Sequence, residues 1–181
     1  MPGEAGAGGG MGATVRVWDP LLRVLHWTLA AGFLGAFALT SPRGTHETLG
    51  WIAVAAAAAR ILWGFAGPRR ARFADFVPGP AGLLAYARAV LRGTEPRHLG
   101  HNPAGGAMVV ALLAVVAGLG ATGWMMGLDR FWGAGWLEEL HETIADLGVG
   151  LVVLHWLGVA WESLRHRENL VLAMITGRKR P

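Results

Sequence analysis

Apolar residues along this chain fall into four long runs separated by short polar segments, and that pattern predicts the architecture. The first run, VWDPLLRVLHWTLAAGFLGAFALTSP, begins at Val17; Asp19 can cap and Pro20 can open a helix that stays apolar to Thr40. A short loop, Ser41 to Thr45, leads to His46, and residues Glu47 to Ala66 form a second run interrupted by one charge, Arg60. Gly67 and Pro68 end it, and Arg69, Arg70 and Arg72 follow at once. The third run, Ala104 to Met126, has no charge and carries Gly118, Gly120 and Gly123 where helices could approach closely. The fourth runs from Leu140 to Leu164. Each is long enough to cross a hydrocarbon core of ~30 Å as an α-helix. Pro80 to Arg92 is too short to cross, but Leu83, Leu84, Ala87, Val90 and Leu91 can share a face that excludes Arg88 and Arg92. That is the pattern of a helix lying along the bilayer surface. The expected fold is therefore an all-α membrane protein, a four-helix transmembrane bundle with an interfacial helix between spans two and three.

Composition agrees with this pattern. Of 181 residues 53% are hydrophobic and only 15% charged, with mean hydropathy +0.40, outside ordinary soluble composition and implying a lipid bilayer as solvent. Residues 1–14 are glycine-rich with no basic residue before Arg16, unlike a secretory signal, and read as a disordered tail ahead of one membrane domain, 15–181. The absence of cysteine excludes disulfides, thiolate metal sites, iron–sulfur ligation and covalent haem attachment. A sequence pI near 10.9 would suggest nucleic acid in a soluble domain, but the basic residues flank apolar runs, so they describe topology and no nucleic-acid partner is expected. Of sixteen Lys and Arg, thirteen fall on one side of the four spans, two (Arg43, Arg130) on the other, and Arg60 inside. The positive-inside rule then puts both termini of a multi-pass bacterial inner-membrane protein in the cytoplasm.

Histidines supply the candidate chemistry. His141 and His155 stand fourteen residues apart in the fourth run, which on one helix is four turns less about 40° and about 21 Å of rise, so both leave the same face. Gly148 lies midway on that face. Two imidazoles with no side chain between them suit two planar groups stacked across a membrane, and haem is the candidate. Orientation assigns depths: His26 and His155 toward the cytoplasm, His46 and His141 at the outer edge. The expected pairs are His26 with His155 and His46 with His141. One imidazole near a helix end is ordinarily an interfacial residue, whereas ionisable groups at matched intramembrane depths point to function.

Other residues read less sharply. Arg60, about 21 Å below His46 on a regular helix, would stand near the carboxylates of the cytoplasmic haem; the plainer reading is an arginine snorkelling to the headgroups. His98 and His101 fit a turn at the start of the third span, with Asn102 as cap before Pro103, better than contact with quinone or a haem carboxylate. His166 sits between arginines and reads as solvated. The nine tryptophans fall mostly near span ends, as in an aromatic belt, with Trp27 and Trp156 beside two of the histidines.

Several motifs in order carry a family resemblance: VWDPLLRVLHW, ARILWGFAGPRRARF from Ala59 to Phe73, GHNPAGG, LHE at 140–142, LHW at 154–156 and ENLVLAMITGRKR. From about Val15 to Arg180 the chain resembles the bacterial cytochrome b561 family, which is related to the b-type cytochrome subunit of nickel–iron hydrogenases. The resemblance implies four helices holding two haem b groups, with His26, His46, His141 and His155 as axial ligands in the pairs that depth gives. It also implies quinone as redox substrate and a periplasmic partner or small redox species, superoxide:quinone oxidoreduction being one form of that activity. Attachment to a hydrogenase-like complex is a second form. A small haem-free transporter is the rival from another class, disfavoured because the four short spans show no inverted repeat.

Overall fold

A computed structural model describes residues 14–181 of the chain; the glycine-rich tail, apart from Thr14, lies outside the described residues. Four helices are long and apolar enough to cross a membrane: α1 (Pro20–Ala38), α2 (Arg43–Ala66), α5 (Pro103–Met126) and α6 (Gly135–Arg165). Two shorter helices, α3 (Phe73–Phe76) and α4 (Pro80–Leu91), connect α2 to α5, and α7 (Leu170–Thr176) follows α6. The fold is an all-α membrane bundle.

Local chemistry sets the helix starts. Asp19 accepts the amide of Leu22 at 2.9 Å in front of Pro20, and Asn102 accepts the amide of Gly105 at 2.7 Å in front of Pro103. Two helices start earlier than their apolar runs. The second opens at Arg43, supported by an Arg43–Glu47 contact of 2.6 Å one turn apart, so His46 lies in its first turn. The fourth opens at Gly135, with Glu138 in its first turn, where a carboxylate suits the helix dipole. Apolarity marks where a helix meets lipid, whereas the backbone stays helical until something breaks it.

The bundle is two hairpins, α1 with α2 and α5 with α6, joined where α2 packs on α5. Its core is built from Phe33, Ala53, Ala57, Leu113, Val115 and Val116. The outward faces of the spans are apolar: Leu62, Phe65, Leu147 and Leu157 are all more than half exposed, a surface that lipid rather than water covers. The short α4 buries Tyr86 and leaves Leu84 and Leu91 exposed beside Arg88 and Arg92, as an interfacial helix requires.

The basic segment after α6 is folded rather than a loose tail. Asn169 caps α7 through the amide of Leu172 at 2.8 Å, and Gly177, at φ 79°, turns the chain back. Arg178–Lys179 (β2) then pairs antiparallel with Val15–Arg16 (β1), and the carbonyl of Gly177 accepts the amides of Val17 and Trp18. Val17, Trp18, Leu22, Ala71 and Ala173 pack as a second small core beneath this clasp. We call this the tail end of the bundle, and the opposite end, with connections 39–42 and 127–134, the loop end.

Candidate functional site

Helix α6 contributes one histidine to each end of the bundle, and a different helix answers each. At the tail end His155 faces His26 of α1, ring centroids 6.3 Å apart and planes at 58°. At the loop end His141 faces His46 of α2, centroids 6.1 Å apart and planes at 67°. Two imidazoles bound to opposite sides of one metal ion, each at ~2 Å from it, have centroids roughly 6 Å apart. Both ring separations are therefore those of two imidazoles that could share one metal. Among the described residues no group of three or more His, Asp or Glu is arranged to hold a metal. A metal between either pair would draw its remaining ligands from outside the protein, as in a macrocycle.

The loop-end imidazoles are oriented by their own hydrogen bonds. His46 Nδ1 lies 2.9 Å from the carbonyl of Ala36, an acceptor, so Nδ1 carries the proton. His141 Nδ1 is 2.7 Å from Thr122 Oγ1, and that hydroxyl donates to the carbonyl of Gly118 at 2.9 Å, which leaves it accepting from the imidazole. Both rings are thus fixed as Nδ1–H tautomers with Nε2 as the free nitrogen, the arrangement ligating histidines use. Thr122 is a functional residue that sequence reasoning missed. Its signal was there: it is the single hydroxyl in an otherwise apolar span, and it is buried. The carbonyl of Ala36 left no such trace.

Around the loop-end pair opens a cavity of about 630 Å³, lined by Phe33, Phe37, Trp51, Gly120, Gly123 and Trp124 among others, with both imidazoles in its wall. That volume is of the size that buries a cofactor. Gly123 lines this wall beside His141, where a Cβ would reach ordinary van der Waals contact with Cε1 at 3.6 Å.

Gly148 lies between the two levels, and its face is occupied by protein. A Cβ at this position would come within 2.8 Å of Phe33 Cζ and 2.9 Å of Val115 Cγ1. Phe33 from α1 and Val115 from α5 close on α6 here, so the bare face expected midway between the histidines is a packed waist.

Arg60 does not snorkel. It is 7% exposed, its guanidinium lies 5.2 Å from the Phe73 ring and 5.7 Å from the Phe76 ring, and Nη1 and Nη2 have no hydrogen-bond partner. The nearby Asp19 is already engaged, accepting from Leu22 N and Trp63 Nε1. His101 is wedged between Trp18 at 4.7 Å and Phe76 at 4.5 Å, and its Nδ1 is buried without a partner. Burial, and after it the charges of Arg60 and Lys179, push its pKa down to about 3, so the ring is neutral. Asn102 caps α5 as expected, and His101 beside it packs between two aromatic rings.

His166 is not solvated either: its Nε2 stands 3.3 Å from Glu162 Oε2. Glu162 Oε1 accepts from Tyr86 OH at 2.7 Å and Asn102 Nδ2 at 2.8 Å, tying α6 to α4 and α5. Burial and that carboxylate raise the Tyr86 pKa, which keeps the phenol a donor. Trp27 lies 5.2 Å from His26, while Trp156 is largely exposed.

A family model described as prokaryotic cytochrome b561 matches residues 17–177. No curated protein and no solved structure matches the chain.

Proposed function

The chain belongs to the prokaryotic cytochrome b561 family, so it is a membrane b-type cytochrome of electron transfer, and from that premise we propose a specific arrangement of cofactor and electron path. Two haem b groups are held, one between His26 and His155 and the other between His46 and His141. The observation that carries this reading is the pair of facing imidazoles at each end, 6.3 and 6.1 Å apart, on one shared helix. The residues fit the group: tautomers fixed at the loop end, a cavity of about 630 Å³ there, and an unpartnered buried arginine at the tail end. Arg60 is assigned to the haem carboxylates at the tail end, because a buried guanidinium without a counter-charge is costly and its fork matches a carboxylate.

Haem supplies one-electron chemistry when bound. The protein's residues determine what kind. Two imidazoles per metal leave no position for oxygen or substrate at the iron, so these sites pass electrons rather than bind small molecules. Ala36 and Thr122 hold the proton on Nδ1 and thereby raise the basicity of the ligating nitrogens. Groups held by His26 with His155 and by His46 with His141, at levels about 21 Å apart along α6, would supply a one-electron route across the apolar layer, joining quinone on the cytoplasmic side to a redox partner at the periplasmic side. Thirteen basic residues at the tail end support a cytoplasmic location for that end, and thus an inner membrane with both termini inside. Superoxide is the small periplasmic reductant we favour testing first, since electron entry there needs no docked protein.

The purified protein should show a b-type spectrum with about two haems per chain. His155→Ala should lose one of them and keep the other. A haem-free protein from cells well supplied with haem, or a His155→Ala variant that keeps both, would overturn the assignment. Rapid reduction of the oxidised protein by superoxide, followed by reoxidation on adding quinone, tests the direction of flow.

A further inference from the structure

The cluster beside the tail-end histidines holds more unmet hydrogen bonding than one arginine. Arg60 Nη1 and Nη2 and His101 Nδ1 are all buried and unpartnered. Phe76 binds them into one group, its ring 5.7 Å from the Arg60 guanidinium and 4.5 Å from the His101 ring. Trp18 closes the other side of His101, and Lys179 Nζ lies 5.6 Å from the Trp18 ring, held 3.9 Å from Glu168. Leaving a buried polar group unmet is unfavourable, and more so for a charge. Two neighbouring groups left so in one aromatic box are built for something the chain does not itself supply. A positive fork beside a neutral imidazole donor asks for an anion with oxygens on both sides. A ketone oxygen would accept from His101 but leave the charge of Arg60 uncompensated.

We propose that His101 and Arg60 form a two-armed site for one carboxylate of the haem between His26 and His155, Arg60 binding it through its fork and His101 donating a single N–H. This rests on the haem reading above and deepens it by assigning His101. The depressed pKa of His101 agrees with a neutral ring. Trp18 and Phe76 fix the plane of the ring, so His101 is a positioning residue that acts on the metal only through the carboxylate.

The test uses the full-length haem-loaded protein and a redox titration that resolves the two haems. His101→Phe keeps an aromatic ring between Trp18 and Phe76 and removes the donor; His101→Gln restores one. With less compensation the carboxylate favours the oxidised metal. His101→Phe should therefore keep about two haems per chain and lower the midpoint of one, by up to tenfold in the oxidised-to-reduced ratio, ~59 mV. The other midpoint should not move, and His101→Gln should return most of the shift. Unchanged midpoints in a His101→Phe protein that retains both haems overturn the proposal. So does a slowed reaction with quinone at unchanged midpoints, which would give His101 to the quinone. If His101→Phe does not accumulate, apoprotein reconstituted with haem dimethyl ester decides. Esterification leaves Arg60 uncompensated and should raise the tail-end midpoint selectively; equal shifts at both haems, or none, overturn it. The His155→Ala haem count is independent of all these results, so failure of the ligand reading stays distinguishable.

Discussion

Thr122 shows how one hydroxyl in an apolar helix sets the chemistry of a site it does not enter. It donates to the carbonyl of Gly118 and accepts from His141 Nδ1, which passes electron density toward the nitrogen facing His46. Removing the acceptor makes the imidazole a weaker donor and disfavours the oxidised metal. On the proposed two-haem reading, Thr122→Val should keep both haems and raise one midpoint by up to tenfold in the oxidised-to-reduced ratio, ~60 mV; a fall, or an equal change at both haems, would contradict the assigned tautomer. At this scale the sequence was legible in part. That His26 would meet His155 and His46 would meet His141 could be read from type and depth, because an imidazole in an apolar run is rare. Their supporting acceptors could not, since the carbonyl of Ala36 has no side-chain signature. His166 differed for a related reason: its neighbours in sequence, two arginines, suggested solvent, while its neighbour in space, Glu162, partly covers it; the turn at His101 formed as read, and only the packed structure shows Trp18 and Phe76 on either side of its ring.

Helix α6 is the element on which both pairs depend. It carries His141 and His155 and buries only Leu137 and Gly148. Fourteen residues of straight helix hold the two levels at a constant separation, which is a property of helical geometry and readable from spacing. What occupies the middle was not readable: Phe33 and Val115 come from helices whose register against α6 no local pattern specifies. Gly148→Leu should force α1 and α5 away from α6, costing about 1–3 kcal/mol as an overpacked core does. Because the strain falls between the two levels, the absorption bands of both proposed haems should shift, and a change confined to one band would mean that α6 does not act as a shared wall. The unexpected starts of α2 and α6 belong to this scale as well. Polar residues such as Arg43 and Glu138 lie outside the apolar runs without ending the helix.

The whole molecule is closed at its tail end by a clasp between the start and finish of the described chain. Gly177 at φ 79° makes the clasp possible, and a Cβ there would lie 2.6 Å from the carbonyl oxygen of Trp18. Gly177→Ala pairs an unfavourable backbone conformation with that collision, and a loss of about 1 kcal/mol from the conformation alone corresponds to a Tm decrease of ~2–4 °C in a chain this size. Thermal unfolding in detergent measures it. Since Trp18 stacks on His101, the same variant should disturb the tail-end haem and leave the loop-end haem untouched. A change at the loop end alone would show that the clasp does not support the site beneath it.

The chain's own order of residues determined the membrane, the four spans, the interfacial helix and the two levels of histidine, because hydrophobic length and helical pitch are local properties that need no partner. Tertiary structure decided which side chains meet across helices. It set the acceptors of His46 and His141, the packed waist at Gly148, the burial of Arg60 with His101, and the return of the C-terminal segment to Trp18. Each of these depends on the rotation and approach of one helix against another, and those are fixed by packing many residues at once.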